Sequence, residues 1–272
     1  MTGISVVTIV KNRKEALNNT LAGLMHNTVL PAEVIIVHMN ESLYELKAMP
    51  FPINAVKLNS PVSMPLAAAR NYGVQHAKYE KIVFLDVDCI PSPTLLNDYN
   101  LNWDTETLLS GRVRYLSDGA MEQQMTPNSL DKCSTQDPIR GNLTSIPYEL
   151  FWSLNFACSK SVFNQIGGFD ESFEGYGGED TDFAFSARNA GIKIQSVNAT
   201  AYHQHHASYA PPINHLADIV DNAQKFYRKW QCWPMEGWLI KFRELGLIQW
   251  DSTSIKLLRI PSAEEIHQYL KV

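Results

Sequence analysis

The 272-residue sequence has few cysteines and no closely spaced pair of them. Its four cysteines (Cys89, Cys133, Cys158 and Cys232) lie far apart, and none belongs to a C-x-x-C motif. This spacing argues against a disulfide framework or a zinc knuckle, and it predicts reduced thiols in a cytosolic protein. The chain also lacks an excess of positive charge, because 28 acidic residues outnumber 23 basic ones and give a formal net charge of -5. We therefore expect no nucleic acid among its partners.

Long hydrophobic runs are also lacking. The opening MTGISVVTIVKNRKE contains one short apolar run that meets charge at Lys11, too short for a membrane span and without the layout of a signal peptide. We therefore predict a cytoplasmic protein. No glycine follows this run in VTIVKNRKEAL, which argues against a nucleotidyltransferase, because that class needs a glycine-rich phosphate loop after its first strand.

Apolar, β-branched runs recur at residues 4–10, 33–39, 53–58 and 81–88, and they predict strands. NRKEALNNTLAGLMHN, after the first run, and PLAAARNYGVQHAKY, before the fourth, have helical patterns. Strands that are apolar throughout and alternate with helices are typical of a mostly parallel sheet covered on both faces. The prediction is an α/β fold of the nucleotide-binding type, with helices flanking a mostly parallel central sheet.

The second half of the chain has a different pattern. Residues 117–147 are polar and without a sustained period, so we expect a long functional loop there. A helix is predicted to begin at Glu179, where acidic residues follow two glycines. The last part of the chain is helical, aromatic and basic in pattern. We therefore predict a domain over residues 1–210 and a helical C-terminal extension over residues 211–272 packed on it.

Two acidic residues end the fourth predicted strand. In FLDVDCIP, Asp86 and Asp88 point the same way, because side chains alternate along an extended chain. The carboxyl end of a parallel strand is where α/β sheets bind ligands. A carboxylate pair there suits Mg²⁺ or Mn²⁺, which take oxygen ligands and often share them with substrate phosphates. The pair predicts a divalent-metal site, and the alternative is a solvated strand end.

Four segments in this order, SVVTIVKNR, PLAAARNYGVQHA, KIVFLDVDCIP and NFACSKSVFNQIGGFDESF, resemble the family 2 glycosyltransferases. The resemblance covers residues 4–205. Within it, GYGGEDTDFAFSARNAGIKI resembles the β-galactosyltransferases and the chondroitin-polymerase type, and AYHQ resembles the metal-binding histidine segment of that group. The resemblance implies the GT-A fold and an inverting enzyme that uses a nucleotide-diphosphate sugar, with a UDP-sugar as the expected donor. It also implies Mn²⁺ or Mg²⁺ as cofactor and a glycan or lipid-linked acceptor.

The resemblance also implies roles for single residues. Asp88 and His203 would bind the metal, Asp180 would be the catalytic base, and Glu179 would bind the acceptor. The positions that it implies for donor binding come from separate segments: Thr8, Val10, Arg13, His38, Asn40, Arg70, Asn71, Asp86, Tyr176 and Gly178.

Two of these positions depart from the family pattern. Most members have acidic residues after the second strand, where this chain has VHMNES, so His38 and Asn40 stand in the base pocket and the base is left open. Tyr176 stands where the galactosyltransferases have tryptophan, so the donor sugar is not inherited from them.

Several of these residues have a structural alternative. Acids in a first helical turn are ordinary capping residues, although the helix dipole also favours an ionised Asp180 there. His203 could be a hydrogen-bonded core histidine. His205 and His206 compete with it for the role of metal ligand, and His205 is a serious rival because it shares a face with His203 in an extended chain.

The predicted function is metal-assisted sugar transfer to a hydroxyl of a glycan or glycolipid. The alternative from another class is a non-catalytic module with the same fold that binds nucleotide sugars. Four of the six tryptophans lie within residues 230–250, beside a cluster of basic residues. We expect this tail to pack on the core. Peripheral contact with a membrane, which would suit a lipid-linked acceptor, is the alternative.

Overall fold

The structure is a computed structural model and describes residues 3–120 and 127–271. Its strands, named in chain order, are β1 (Ile4–Val10), β2 (Glu33–Met39), β3 (Ile53–Leu58), β4 (Lys81–Leu85), β5 (Cys89–Pro91), β6 (Thr107–Leu116), β7 (Ser134–Gln136), β8 (Asn155–Ser159), β9 (Lys193–His203), β10 (Ser208–Tyr209), β11 (Ile248–Trp250), β12 (Ile255–Leu257) and β13 (Leu270–Lys271). The helices are α1 (Lys14–Met25), α2 (Leu66–His76), α3 (Leu95–Leu101), α4 (Pro127–Lys132), α5 (Lys160–Ile166), α6 (Glu179–Asn189), α7 (Leu216–Trp230), α8 (Glu236–Glu244) and α9 (Ala263–Gln268).

The predicted α/β architecture is confirmed, and a central sheet runs through the molecule in the order β3-β2-β1-β4-β8-β6-β9-β5. The first four strands in this order are parallel, as their apolar sequences predict. The remainder of the sheet is mixed, because β8 runs antiparallel to both β4 and β6 while β9 returns parallel to β6. A strand with two buried faces has the same apolar composition in either direction, so the sequence did not reveal this reversal.

Each face of the sheet is covered by its own apolar cluster. Val7 and Ile9 of β1 pack on the α2 side, whereas Val6 and Val10 pack on the α1 side with Leu17 of α1. This division follows from the alternation of side chains along a strand. It decides which residues of β1 can face the site described below.

The predicted loop over residues 117–147 contains more regular structure than its sequence indicates. Helix α4 and strand β7 lie within it, and β7 pairs antiparallel with the end of β6. Residues 121–126 of this segment lie outside the described residues. Pairing with a neighbouring strand satisfies the backbone of β7, so this polar segment forms a strand without an apolar pattern of its own.

The C-terminal extension has a separate apolar cluster, formed mainly by α7 and α8. A second small cluster joins the extension to the sheet domain, because Phe226 of α7 packs with Phe173 and Phe185. The tryptophans of the tail have packing partners: Trp230 donates to a buried carboxylate and Trp233 lies edge-on to Trp250. Packing therefore accounts for these aromatics without a membrane surface. Within residues 3–120 and 127–271, no helix combines the length and apolar character needed to cross a bilayer.

Candidate active site

A cleft of about 510 Å³ lies at the carboxyl ends of β1 and β4. Its volume is in the range of small-molecule sites. The lining brings together many of the residues singled out from the sequence, namely Arg13, Arg70, Asp86, Asp88, Tyr176, Gly178, Glu179, Asp180 and His203.

Sheet pairing brings Asp88 next to His203, across more than a hundred residues of sequence. Strand β5 begins directly after Asp88 and pairs antiparallel with β9, so that Cys89 lies opposite His203. The backbone N–H of Gln204 also donates to the Asp88 carbonyl at 2.8 Å. As a result, His203 Nε2 lies 3.6 Å from Asp88 Oδ1.

His206 is the third member of this group. Its Nε2 lies 3.5 Å from Asp88 Oδ2, and one ligand atom from each of Asp88, His203 and His206 lies within 4.8 Å of the others. Burial lowers the pKa of His206, which favours the neutral imidazole that a metal requires. His205, the rival considered from the sequence, points instead to Asp118, with 3.7 Å between Nδ1 and Oδ1. Strand β9 ends at His203, so strand alternation no longer predicts which of the following histidines faces Asp88.

A carboxylate with two imidazoles is a donor set that can bind a divalent cation. Carboxylate oxygen is a ligand for both Mg²⁺ and Mn²⁺. Mg²⁺ usually takes its remaining ligands from phosphates and water. Imidazole is a ligand typical of transition metals. These three residues therefore fit a divalent cation.

Two arginines connect the acidic residues of the cleft. Arg13 Nη1 lies 2.9 Å from Asp88 Oδ2. The buried Arg70 of α2 lies between the two acidic segments, with Nη2 3.4 Å from Asp86 Oδ1 and Nη1 3.3 Å from Glu179 Oε1. Arg70 thus joins the end of β4 to the start of α6.

The acids of GGED open helix α6, as predicted. Gly178 is the residue before the helix and has φ 90°, and Gly177 has φ 94°. These left-handed conformations favour glycine. A Cβ on Gly177 would also meet Met235 Sδ at 3.0 Å. The two glycines are therefore required by the turn that directs Glu179 and Asp180 into the cleft.

Asp180 differs from the expectation based on the helix dipole. Burial, and after it the neighbouring carboxylate of Glu179, raise the pKa of Asp180 to about 7. Burial likewise raises the pKa of Asp86 to about 6, although Arg70 acts in the opposite direction. Loss of water around the carboxyl group therefore outweighs the dipole, which favours the ionised form by only about 0.3–1 kcal/mol.

Three residues predicted to bind the donor have side chains outside the cleft lining. Val10 is fully buried on the α1 side of the sheet, and Thr8 and His38 lie on the same face by strand alternation and register. Ile9, which points to the opposite face, lines the cleft instead. Among the described residues, Thr8 Oγ1 and His38 Nε2 are buried polar atoms with no hydrogen-bond partner.

Asn40 and Asn71 also lie outside the cleft lining, and their side chains hold other segments in place. Asn40 accepts from Ser60 N and donates to Val62 O, both at 2.7 Å. Asn71 accepts from the N–H of Phe169 and donates to its carbonyl. Neither contact could be predicted from the sequence, because both partners are distant along the chain.

Aromatic side chains not assigned to the site from sequence also line the cleft. Trp152 is 42% exposed, although its neighbours Phe151 and Ser153 are buried. Trp238 of the extension lies with its ring centroid 6.1 Å from that of Tyr176. An exposed tryptophan between two buried residues indicates a binding surface, but the sequence does not show which residues are buried.

Two families of known proteins match overlapping parts of the chain. Residues 5–163 match glycosyl transferase family 2, and residues 142–208 match the N-terminal domain of galactosyltransferase. A chondroitin synthase from Escherichia coli is 27% identical over 239 residues, which cover 74% of this chain and 34% of that protein. A hyaluronan synthase from Pasteurella multocida is 27% identical over 241 residues, or 74% of this chain and 24% of that protein. The chain thus spans about a third or less of the length of these relatives.

A solved structure supports the fold independently. GalNAc-T7, crystallised with UDP, GalNAc and Mn²⁺, superposes with a TM-score of 0.60 at 13% identity, covering 89% of this chain and 56% of that chain. At this identity the likeness concerns the fold alone. The match to the family over more than half of the chain, together with this architecture, identifies the protein as a member of glycosyltransferase family 2 with the GT-A fold.

Proposed function

We propose that the protein is an inverting glycosyltransferase that moves a sugar from a nucleotide-diphosphate sugar, with a UDP-sugar as the expected donor, to a hydroxyl of a glycan. One observation carries the proposal. A single cleft contains Asp88, His203 and His206 together with Glu179 and Asp180. These are the two sets of groups that sugar transfer requires, one for the leaving diphosphate and one for the acceptor hydroxyl.

The first set serves the leaving group. Asp88, His203 and His206 would hold a divalent cation, which when bound neutralises the charge that develops on the departing diphosphate. Arg13, whose guanidinium lies 2.9 Å from Asp88, adds a fixed positive charge beside the same position. Asp86 is held by Arg70 and is placed to contact the donor from the end of β4.

The second set serves the acceptor. Asp180 takes the proton of the attacking hydroxyl while that oxygen forms a bond to the anomeric carbon and the bond from this carbon to the diphosphate oxygen breaks. The products are the glycoside, with inverted configuration, and the nucleoside diphosphate. A positioned base of this kind typically contributes about 10²–10⁴-fold to the rate. Glu179, held by Arg70, is proposed to bind the acceptor beside it.

The aromatic residues of the cleft support a glycan as the acceptor. The guanidinium of Arg140 lies 3.3 Å from the ring centroid of Trp152 and holds one face of this exposed ring. Tyr176, which also lines the cleft, stacks on His215 at 4.4 Å with an interplanar angle of 18°. Large rings that are fixed from behind offer apolar faces to a sugar at little cost in entropy.

For the base, we retain Thr8 and His38 as a proposal from the family resemblance, because both side chains are buried on the α1 side of the sheet and neither lines the cleft. Buried polar atoms are nearly always paired in native structures, and among the described residues Thr8 Oγ1 and His38 Nε2 are two on adjacent strands without a partner. This proposal retains the prediction for Thr8 and His38, and it leaves the identity of the base to experiment.

Release of nucleoside diphosphate tests the proposal directly. The protein would be incubated with a panel of UDP- and GDP-sugars and oligosaccharide acceptors, with Mn²⁺, with Mg²⁺ or with EDTA. We expect release with one donor, dependent on metal, and a product whose anomeric configuration, read by NMR, is inverted. Asp88→Asn should abolish this release, whereas Asp118→Asn, which removes an exposed carboxylate near His205, should not.

Two other results would change the assignment. Binding of a nucleotide sugar with no release over hours would indicate the non-catalytic binding module instead. Release that persists in EDTA and in Asp88→Asn would show that the metal cluster is not part of the reaction.

A further inference from the structure

The loop before helix α6, residues 174–178, has an unusual backbone. Gly175, Gly177 and Gly178 have φ of 73°, 94° and 90°. Its β-type backbone pairing is limited to one isolated bridge, between Gly175 and Pro65. A segment with this much glycine is intrinsically flexible, since glycine loses more conformational freedom on ordering than any other residue. The loop nevertheless precedes Glu179 and Asp180 directly, so its conformation sets their direction.

One face of helix α7 supplies the contacts that this loop lacks. The polar residues Asp218, Asn222, Lys225 and Lys229 are spaced four, three and four residues apart and therefore share a face of the helix. Asp218 Oδ2 accepts from the N–H of Tyr176 at 3.2 Å. Lys229 binds both Asp170 and the buried Asp182 of α6, at 3.0 and 2.9 Å.

Asn222 is the centre of this face. It is only 1% exposed, and its amide nitrogen donates to two loop carbonyls, Glu174 O at 2.9 Å and Gly177 O at 2.8 Å. The same helix buries Ile219, Val220 and Ala223 in the apolar cluster of the extension. Packing alone would be served by an apolar residue at 222, so the buried amide indicates a specific need to hold the loop.

We propose that Asn222 is a positioning residue, and that α7 holds residues 174–178 so that Glu179 and Asp180 face the acceptor. The inference rests on the proposed function for its catalytic consequence, but not for the contact itself. The groups proposed for the leaving diphosphate lie before α1, between β4 and β5, and at or just after the end of β9, and these contacts do not hold those segments. Loss of Asn222 should therefore reduce the rate of transfer more than it weakens donor binding, for which the loop supplies only Tyr176 and Gly178 among the predicted residues.

Two variants of Asn222 and one control would test this. Asn222→Asp keeps the shape but replaces the donor nitrogen with an oxygen that faces two carbonyls, and Asn222→Ala removes the side chain. Arg228→Ala, on the exposed side of the same helix, is the matched control, since its contact is to Gln224 of α7 itself. Hydrogen–deuterium exchange of peptides covering residues 172–182 would be measured, with thermal unfolding, kcat and the KM for the donor.

In both Asn222 variants we expect exchange over residues 172–182 to become about tenfold faster, while strands β1 and β4 keep their protection. We expect kcat to fall by about 10²-fold, the scale of a displacement of about 1 Å, with a smaller rise in the donor KM because Tyr176 and Gly178 of the loop are also predicted to contact the donor. Unchanged exchange in a folded Asn222→Ala protein would overturn the inference. So would a loss that falls on the donor KM instead of kcat.

The two proposals fail in different ways. If the wild-type protein transfers no sugar but the exchange of residues 172–182 still rises in both variants, the positioning of the loop is supported and the proposed function is wrong. If wild-type transfer is observed and neither exchange nor kcat changes, the proposed function is supported and Asn222 does not position the loop.

Discussion

Asp180 lies in surroundings that favour its protonated form, yet the proposed reaction needs it ionised. Burial and the adjacent Glu179 raise its pKa to about 7. A base is most effective when its pKa is close to the working pH, because a higher pKa accepts the proton more readily and a lower one keeps more of the base ionised. The pKa of about 7 that burial gives Asp180 therefore suits its proposed role as the base.

The pH dependence of transfer follows from this value. Only ionised Asp180 can accept the proton, so kcat/KM should fall about tenfold per pH unit below pH 7 and level off above it. Steady-state rates between pH 5 and 9 at saturating metal would show this fall in kcat/KM.

Asp180→Asn should reduce kcat by about 10²–10⁴-fold and leave donor binding, measured by calorimetry, unchanged. Full activity of this variant would exclude Asp180 as the base.

The histidines after β9 allow a comparison between neighbours. His206 Nε2 lies 3.5 Å from Asp88, whereas His205 points to Asp118 on the protein surface. We expect His206→Ala to weaken Mn²⁺ binding by at least about tenfold, as loss of one ligand from three should, and His205→Ala to leave it within about twofold. Calorimetric titration with Mn²⁺ alone measures both. Equal losses in the two variants would contradict the assignment of His206.

At the scale of elements, the site depends on contacts between short segments that begin or end beside it. Strand β5 has only three residues, but its pairing with β9 brings Asp88 to His203. Helix α2 contributes Arg70, which holds the end of β4 to the start of α6. Both elements also pack into the apolar clusters of the sheet, since Cys89 of β5 and Ala69 of α2 are fully buried there, and the polar contacts add to this packing at the site.

Removal of Arg70 should be costly for this reason. Arg70→Met would leave the buried Glu179 and the partly buried Asp86 without their positive partner, and loss of one partner from a buried ion pair typically costs about 3–5 kcal/mol. Arg188→Met breaks an exposed pair with Glu149 and should cost less than about 1 kcal/mol. Urea denaturation measures both free energies of unfolding. Similar values for the two variants would show that Arg70 is not the element that joins these segments.

At the scale of the whole molecule, the extension and the sheet domain share buried surface. Phe226 is fully buried and packs against Phe185 with 5.0 Å between ring centroids. The predicted domain boundary at residue 210 therefore stays a prediction. We do not expect the two parts to unfold independently. The contacts of α7 with residues 172–182 also join the extension to the sheet domain.

Phe226→Ala tests this cooperativity. The cavity left by a buried phenylalanine should lower the free energy of unfolding by about 3–5 kcal/mol, and calorimetry should still show one transition. Leu258→Ala, at a residue 53% exposed, is the control and should change little. A separate, early transition that contains only the extension would show that residues 211–272 form an independent unit.

Much of the molecule could be predicted from local pattern alone. Apolar runs determined the parallel strands β1 to β4, and the two glycines before Glu179 determined where α6 begins, because these features depend on residues near each other in the chain. Asp88, His203 and Asp180 were singled out by residue type and by resemblance. The structure brings all three to one cleft, while their chemical roles remain predictions.

Only the tertiary structure decided the remaining features. The antiparallel course of β8, the choice of His206 over His205, the buried face of Thr8 and His38, and the hold of Asn222 on the loop each depend on partners distant in sequence. The sequence by itself determined which side chains the chain possesses and the local structure that carries them. Their burial, and with it the raised pKa of Asp180, arises only when distant elements pack together and exclude water.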